Sequence, residues 1–350
     1  MQEGTVTPAP GPAMLRAAGL SERWSERRGP PPAPLAGNDH PEAAMSRSLA
    51  VLLTLSLLAS AAHAAPAQPS GAGKTFNAGT ATIWYEVRGS AGERPLVMVN
   101  GGPGFDHTYV LCSDAWDQLA RSRRVVFYDQ RGNGRSGALK PNQSCTLADQ
   151  VADLEALRKQ LGAEQIDLLG HSWGGYLVMA YAARHPDRVA HLIIADSAAP
   201  KWGDTEFIFK YIFPEGVEHQ GQLDFFDTLG DSAAGKQSLR EYLGMLFVSA
   251  AKRDEFLSRA DTYKYAKKVN AALNADLAQY DMWPVLPSFH MPTLVVTGRY
   301  DINVAPSTAW KIHKAIPGSR WEVFEQSGHL PYFEEPEKFV RVVEGFLGAP

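Results

Sequence analysis

Cysteine is scarce in this sequence, with only Cys112 and Cys145 among 350 residues. Without a C-x-x-C pair or a Cys/His cluster, nothing reads as a zinc site, and no metal or organic cofactor is expected. A basic stripe is missing as well. The formal net charge is -4 with both signs interspersed, which excludes nucleic acid and anionic membrane surfaces as expected partners. No internal repeat is visible, so solenoids and propellers are set aside. The apolar stretch from Leu49 to Ala61 is too short to span a bilayer comfortably. What the chain does have is bulk: at 45% hydrophobic, it can bury one large core or two smaller ones.

The first 64 residues read as two pieces. Residues 1–44 are rich in Pro, Ala, Gly and Arg without an apolar period and are expected to form a disordered extension. The pattern then changes to a basic start at Met45-Ser46-Arg47, the apolar Leu49–Ala61 run and a small-x-small cleavage site at Ala62-His63-Ala64. That succession is a secretory signal peptide, Met45 to Ala64. A signal needs its charged end at the N-terminus, so translation is expected to begin at Met45 and the mature chain at Ala65, secreted or periplasmic and without stable membrane association. In an oxidising compartment Cys112 and Cys145 could form one disulfide joining two loops, or remain two thiols.

From Ala65 onward, short β-runs alternate with helical patterns. Strands are expected at Thr82–Val87, Leu96–Val99, Arg124–Tyr128, Ile166–Leu169, Leu192–Ala195, Thr293–Thr297 and Trp321–Phe324. Helices are expected at Leu147–Leu161, after Ser172, near Ser307–Ala315 and at Pro336–Leu347. Continuous apolar strands between amphipathic helices imply an α/β fold with a mostly parallel, doubly wound sheet covered on both faces. Between roughly Pro200 and Pro292 the β-runs stop and aromatic-rich helical segments take over. Such an insertion reads as a helical cap over the carboxyl ends of the strands, where ligands bind in these sheets. The domain plan is therefore a core at 65–199, a cap at 200–291 and the rest of the core at 292–350.

The pentapeptide Gly170-His171-Ser172-Trp173-Gly174 lies between an apolar β-run and a helix. A G-x-S-x-G sequence in that context forms a tight turn whose glycines let backbone crowd the serine and expose its hydroxyl. Ser172 is the expected nucleophile. Its oxyanion would be met by the N–H of Trp173, at the start of the helix, and by Gly102 in the loop Asn100-Gly101-Gly102-Pro103-Gly104. A serine needs a base, and the base an orienting acid, in the chain order Ser, Asp or Glu, His on this architecture. Asp301 and His329, each in a loop after a strand, supply that order. Asp196, after Leu192–Ala195, is the alternative acid. The segment Asp129-Gln130-Arg131-Gly132-Asn133-Gly134-Arg135-Ser136 is expected to pin neighbouring loops through Arg–carboxylate pairs.

Taken in order, G-G-P-G, D-Q-R-G-x-G-R-S, G-x-S-W-G-G, G-R-Y-D and S-G-H resemble the α/β-hydrolase superfamily, specifically its proline iminopeptidase branch. The likeness runs from about Leu96 to Ala199 and again from Pro292. It implies a triad of Ser172, Asp301 and His329 and an aminopeptidase that releases N-terminal proline or a similar small residue from short peptides. Two departures stand out. The family's histidine before G-G-P-G is Asn100 here, in a place that supports the loop. The W-x-x-W-E segment, whose glutamate helps bind the substrate's free α-amino group, has no clear counterpart. Glu215 and Glu218, in a segment resembling F-P-D-x-W-E, are the named replacements, with Asp204 and Glu206 as further candidates. The missing segment also keeps open an esterase or lactonase acting on small esters.

Overall fold

The computed structural model describes residues 73–90, 92 and 94–348. The proposed extension at 1–44 and the signal segment Met45–Ala64 lie outside the described residues. Eight strands form one sheet: β1 (Lys74–Ala78), β2 (Ala81–Arg88), β3 (Leu96–Val99), β4 (Val125–Asp129), β5 (Ile166–His171), β6 (Val189–Ala195), β7 (Thr293–Gly298) and β8 (Arg320–Phe324). Their order is β1-β2-β4-β3-β5-β6-β7-β8. Strands β3 to β8 are parallel, while β1 and β2 pair antiparallel at one edge. The sheet is thus mostly parallel, as its apolar runs imply.

Eleven helices are described: α1 (Ala115–Leu119), α2 (Leu147–Gln160), α3 (Trp173–Arg184), α4 (Phe209–Ile212), α5 (Pro214–Thr228), α6 (Ser232–Gly244), α7 (Ala250–Leu257), α8 (Lys267–Leu277), α9 (Pro306–Ala315), α10 (Pro331–Glu334) and α11 (Pro336–Leu347). Local chemistry sets their ends. Thr146 caps α2 by accepting the Asp149 N–H while the Asp149 carboxylate accepts the Thr146 N–H, a reciprocal capping box. Leu147, Val151, Leu154 and Leu157 then recur at three- and four-residue spacing and are buried.

The pleat divides the core in two. Val97, Val99, Val126 and Tyr128 point to the face covered by α2 and α3, whereas Leu96, Met98, Val125 and Phe127 point to the face covered by α1 and α11. This split decides between the two cysteine alternatives. Cys112 belongs to the second core and Cys145 to the first, and both are free, buried thiols. The sheet stands between them, so the disulfide does not form.

Helices α4 to α8 leave the sheet after β6 and return before β7. Leu243, Leu246, Phe256 and Tyr263 from this insertion join one core, and Val269, Leu273 and Leu277 join the other. The insertion is therefore packed into the body of the fold. No helix of the described residues is long and apolar enough to cross a membrane.

Candidate active site

Because β3 to β8 run parallel, the loops after them gather along one edge of the sheet. Five of these loops bring residues singled out above: Gly102 after β3, Ser172 after β5, Asp196 after β6, Asp301 after β7 and His329 after β8. Ser172 sits between β5 and α3 with φ 59 and ψ -121, a left-handed conformation that a non-glycine residue adopts only under constraint. The constraint is the crowding around the turn. A Cβ on Gly170 would run into the Gly174 carbonyl, and one on Gly174 would run into the Val99 carbonyl. The Ser172 N–H is tied to the Ala195 carbonyl at 2.9 Å.

Gly102, Ser172 and His329 line one small cavity with Tyr109, Tyr242 and Leu246. Its free space is about 20 Å³, room for about one water. A groove of about 480 Å³ adjoins it, sharing Gly102, Phe105 and Tyr242 and carrying Asp224, Asp227 and Lys267 on its other walls. Asp227 is ion-paired with Lys267, whereas Asp224 forms no ion pair among the described residues.

The Nδ1 atom of His329 lies 2.7 Å from Asp301 Oδ2, with both side chains buried. Asp301 Oδ1 accepts the N–H groups of Asn303 and Val304 at 2.8 and 2.9 Å. Beyond it, Asp196 accepts the Gly298 N–H at 2.8 Å through Oδ1. Burial, and then the negative charge of Asp301, push the Asp196 carboxyl well above its ordinary range. Of the two buried carboxyls, Asp196 is thus the one whose surroundings oppose ionisation. Asp196, Asp301 and His329 each offer an atom within 4.8 Å of one another, but the Asp301–His329 contact already uses the donors that a metal ion would need.

Two elements hold the His329 loop from the insertion side. The His329 N–H donates to the Leu246 carbonyl at 2.8 Å. Glu334 of α10 accepts three backbone N–H groups, from Val248, Ser249 and Gly328, at 2.9, 3.0 and 2.7 Å. Beneath Ser172, His171 donates Nε2–H to the His329 carbonyl at 2.7 Å and accepts a hydrogen bond from the Tyr109 hydroxyl on Nδ1 at 2.8 Å. Burial and the neighbouring His329 drive its imidazole well below the usual range, so it stays neutral. The Tyr109 oxygen in turn accepts the Gly101 N–H at 2.5 Å, which ties the glycine loop to the turn carrying Ser172.

The glycine loop is braced further by Asn100, whose Nδ2 donates to the Phe105 carbonyl at 2.7 Å. Gln130 donates to the Asn100 carbonyl and accepts from the Trp173 indole N–H, both at 2.9 Å. Trp173 is fully buried and opens α3. Arg131 grips Asp153 through two bonds of 2.6 and 2.7 Å, a bidentate pair that pins the loop after β4 onto α2.

The acidic residues nominated for amine binding lie elsewhere. Glu215 and Glu218 are exposed on α5, and Glu215 lines a different groove with Phe213 and Arg240. Asp204 accepts the Trp283 indole N–H, and Glu206 is held by Lys311 and Ser307. Asn303, Tyr242, Tyr109 and His171 were not singled out by the sequence. For Asn303 a signal was present, namely a polar residue two positions past Asp301 in the same loop.

The family model for the alpha/beta hydrolase fold matches residues 94–336. A proline iminopeptidase from Saccharolobus solfataricus is 31% identical over 279 residues, covering 75% of this chain and 87% of the relative. Among solved structures, a proline iminopeptidase from Mycobacterium smegmatis superposes with a TM-score of 0.61 at 26% identity, covering 79% of this chain and 97% of its own. An esterase from Exiguobacterium antarcticum superposes with a TM-score of 0.62 at 25% identity, covering 79% and 99%. These matches agree with the parallel sheet and the loops along its carboxyl edge, and the chain belongs to the alpha/beta hydrolase family, in its proline iminopeptidase branch.

Proposed function

We propose that this hydrolase is an exported serine aminopeptidase of the proline iminopeptidase type, releasing N-terminal proline or a similar small residue from short peptides. The observation that carries the reading is one cavity shared by Ser172, strained at its turn, and by His329, whose Nδ1 rests on Asp301. Ser172 Oγ attacks the scissile carbonyl, and His329 Nε2 takes its proton. The N–H groups of Trp173 and Gly102 meet the oxyanion, and the proton then passes to the leaving amine. Water releases the acyl-enzyme by the same steps. The α4–α8 insertion serves as the cap, and Asp224, in the groove that opens onto the cavity, is the carboxylate placed to meet the substrate's ammonium group.

A second reading, a small-ester esterase on the same triad, is favoured by the apolar walls around Ser172: Phe105, Leu243, Leu246 and Leu330. The deciding experiment compares kcat/KM for a proline arylamide, its N-blocked analogue and a short-chain p-nitrophenyl ester. Loss of turnover on blocking the amine supports the peptidase, whereas indifference to blocking with preference for the ester supports the esterase.

Export rests on the order of basic start, apolar run and small-residue site in Met45–Ala64. N-terminal sequencing of protein from fractionated native cells should give Ala65 in the exported fraction. An intact Met1 in the cytosol contradicts it.

A further inference from the structure

The nitrogen of His329 that should receive the Ser172 proton is already engaged. Nε2 lies 3.1 Å from Nδ2 of Asn303, and Asn303 Oδ1 accepts the hydroxyl of Tyr242 at 3.1 Å. The directions interlock. His329 donates Nδ1–H to Asp301, so Nε2 carries the lone pair and accepts. Burial and the charge of Asp301 keep the Tyr242 phenol protonated, hence a donor to Oδ1, and the Asn303 amide N–H is left facing Nε2. The Asn303 backbone N–H is fixed on the same Asp301 carboxylate.

An imidazole nitrogen has one lone pair, so while Asn303 holds it the Ser172 hydroxyl cannot pass its proton there. Tyr242 comes from α6 and lines both the groove and the Ser172 cavity. A molecule moving from one to the other therefore meets the hydroxyl that orients Asn303.

We propose that Asn303 and Tyr242 are positioning residues that hold the Nε2 lone pair of His329 before substrate enters and yield it to Ser172 when an entering acyl group displaces the Tyr242 hydroxyl. The inference rests on the serine-hydrolase reading above. The titratable groups around His329 are Asp301 after β7, Asp196 after β6, His171 of β5, Tyr242 of α6, and Tyr332 and Glu334 of α10. All of them are retained in the Asn303 test, which removes one neutral amide.

The test measures the second-order rate of labelling by a small fluorophosphonate from pH 5 to 9 for wild type, Asn303→Ala and Tyr242→Phe. In this step the serine oxygen bonds to phosphorus, fluoride leaves and the proton goes to His329. Freed from its partner, Nε2 should react faster, by about 3- to 10-fold on the plateau for Asn303→Ala and by less for Tyr242→Phe. The acidic limb should also move to higher pH by about half a unit to one unit, because a donor that opposed protonation is gone. A plateau that is unchanged or slower, or a limb that stays in place, overturns the proposal. Tyr242→Phe removes only a hydroxyl and reads the same effect if Asn303→Ala does not fold. Wild type that fails to label sinks the serine-hydrolase reading as well, whereas labelled wild type with unmoved variants sinks the hold alone.

Discussion

Asp301 faces His329 with one carboxylate oxygen and its own loop with the other: Oδ2 lies 2.7 Å from Nδ1, and Oδ1 accepts two backbone N–H groups. This arrangement fixes the proton on Nδ1 and leaves Nε2 as the basic nitrogen. Asp301→Asn should reverse that preference by presenting an amide N–H to Nδ1. A fall in kcat of about two to four orders of magnitude is expected, with little change in fold. Steady-state kinetics on a proline arylamide read it, and a fall of less than about tenfold would remove Asp301 from this role.

Asp196 should behave oppositely under the same substitution. Since burial and the charge of Asp301 hold the Asp196 carboxyl well above its ordinary range, Asp196→Asn replaces a group that resists ionisation by a neutral one of similar shape. The expected change in kcat is within about threefold, because the Asn amide oxygen still accepts the Gly298 N–H. A loss as large as that of Asp301→Asn would make Asp196 the orienting acid.

The same residue carries a pH signature. Its folded pKa is raised above the unfolded value of 3.8, so below about pH 4 both states are protonated and no penalty applies. As pH rises toward the folded value, the unfolded chain ionises while the folded one does not, and stability falls. Asp196→Asn removes this slope. The Tm of the variant relative to wild type should climb between pH 4 and pH 7, and a constant difference across that range would contradict the assignment.

Glu334 joins the insertion to the His329 loop through three backbone N–H groups. Glu334→Ala leaves those donors without their partner, at a cost of about 2 to 4 kcal/mol. A drop in Tm of several degrees is expected, and hydrogen exchange should quicken at Val248, Ser249 and Gly328. Unchanged exchange at all three would show that the carboxylate is not what holds them.

For Asp224, the expectation concerns binding. Asp224→Asn should raise KM for a free-amine proline arylamide about two- to fivefold while changing turnover of a p-nitrophenyl ester little, since an ester carries no ammonium to pair. Equal effects on both substrates would count against amine recognition at this carboxylate.

The parts of the molecule that a single sequence exposed are those where one residue type is forced by geometry. Gly170 and Gly174 leave no room for a Cβ, and the apolar Ile166–His171 run is buried throughout, so the turn carrying Ser172 was readable from residue identity. Strand β1 was not. Lys74–Ala78 is polar and mostly exposed, with its order supplied by antiparallel pairing to β2. Glu215 and Glu218 were chosen from a motif, yet α5 buries none of its residues, so its sequence gives no hint of which side faces the groove. The cysteines were left open between a disulfide and two thiols for a related reason, because position in the sequence does not say on which face of the sheet a loop ends. Tyr242 is one of many aromatics in the insertion, and what distinguishes it, its hydrogen bond to Asn303, is not visible in the sequence.

The central claim is that Ser172 is the nucleophile, and peptide mapping after reaction with a fluorophosphonate tests it most directly. One adduct per chain is expected, on Ser172, appearing in step with loss of hydrolysis and absent from Ser172→Ala, which should be folded and inactive. An adduct on another residue, or hydrolysis that persists in Ser172→Ala, would contradict it.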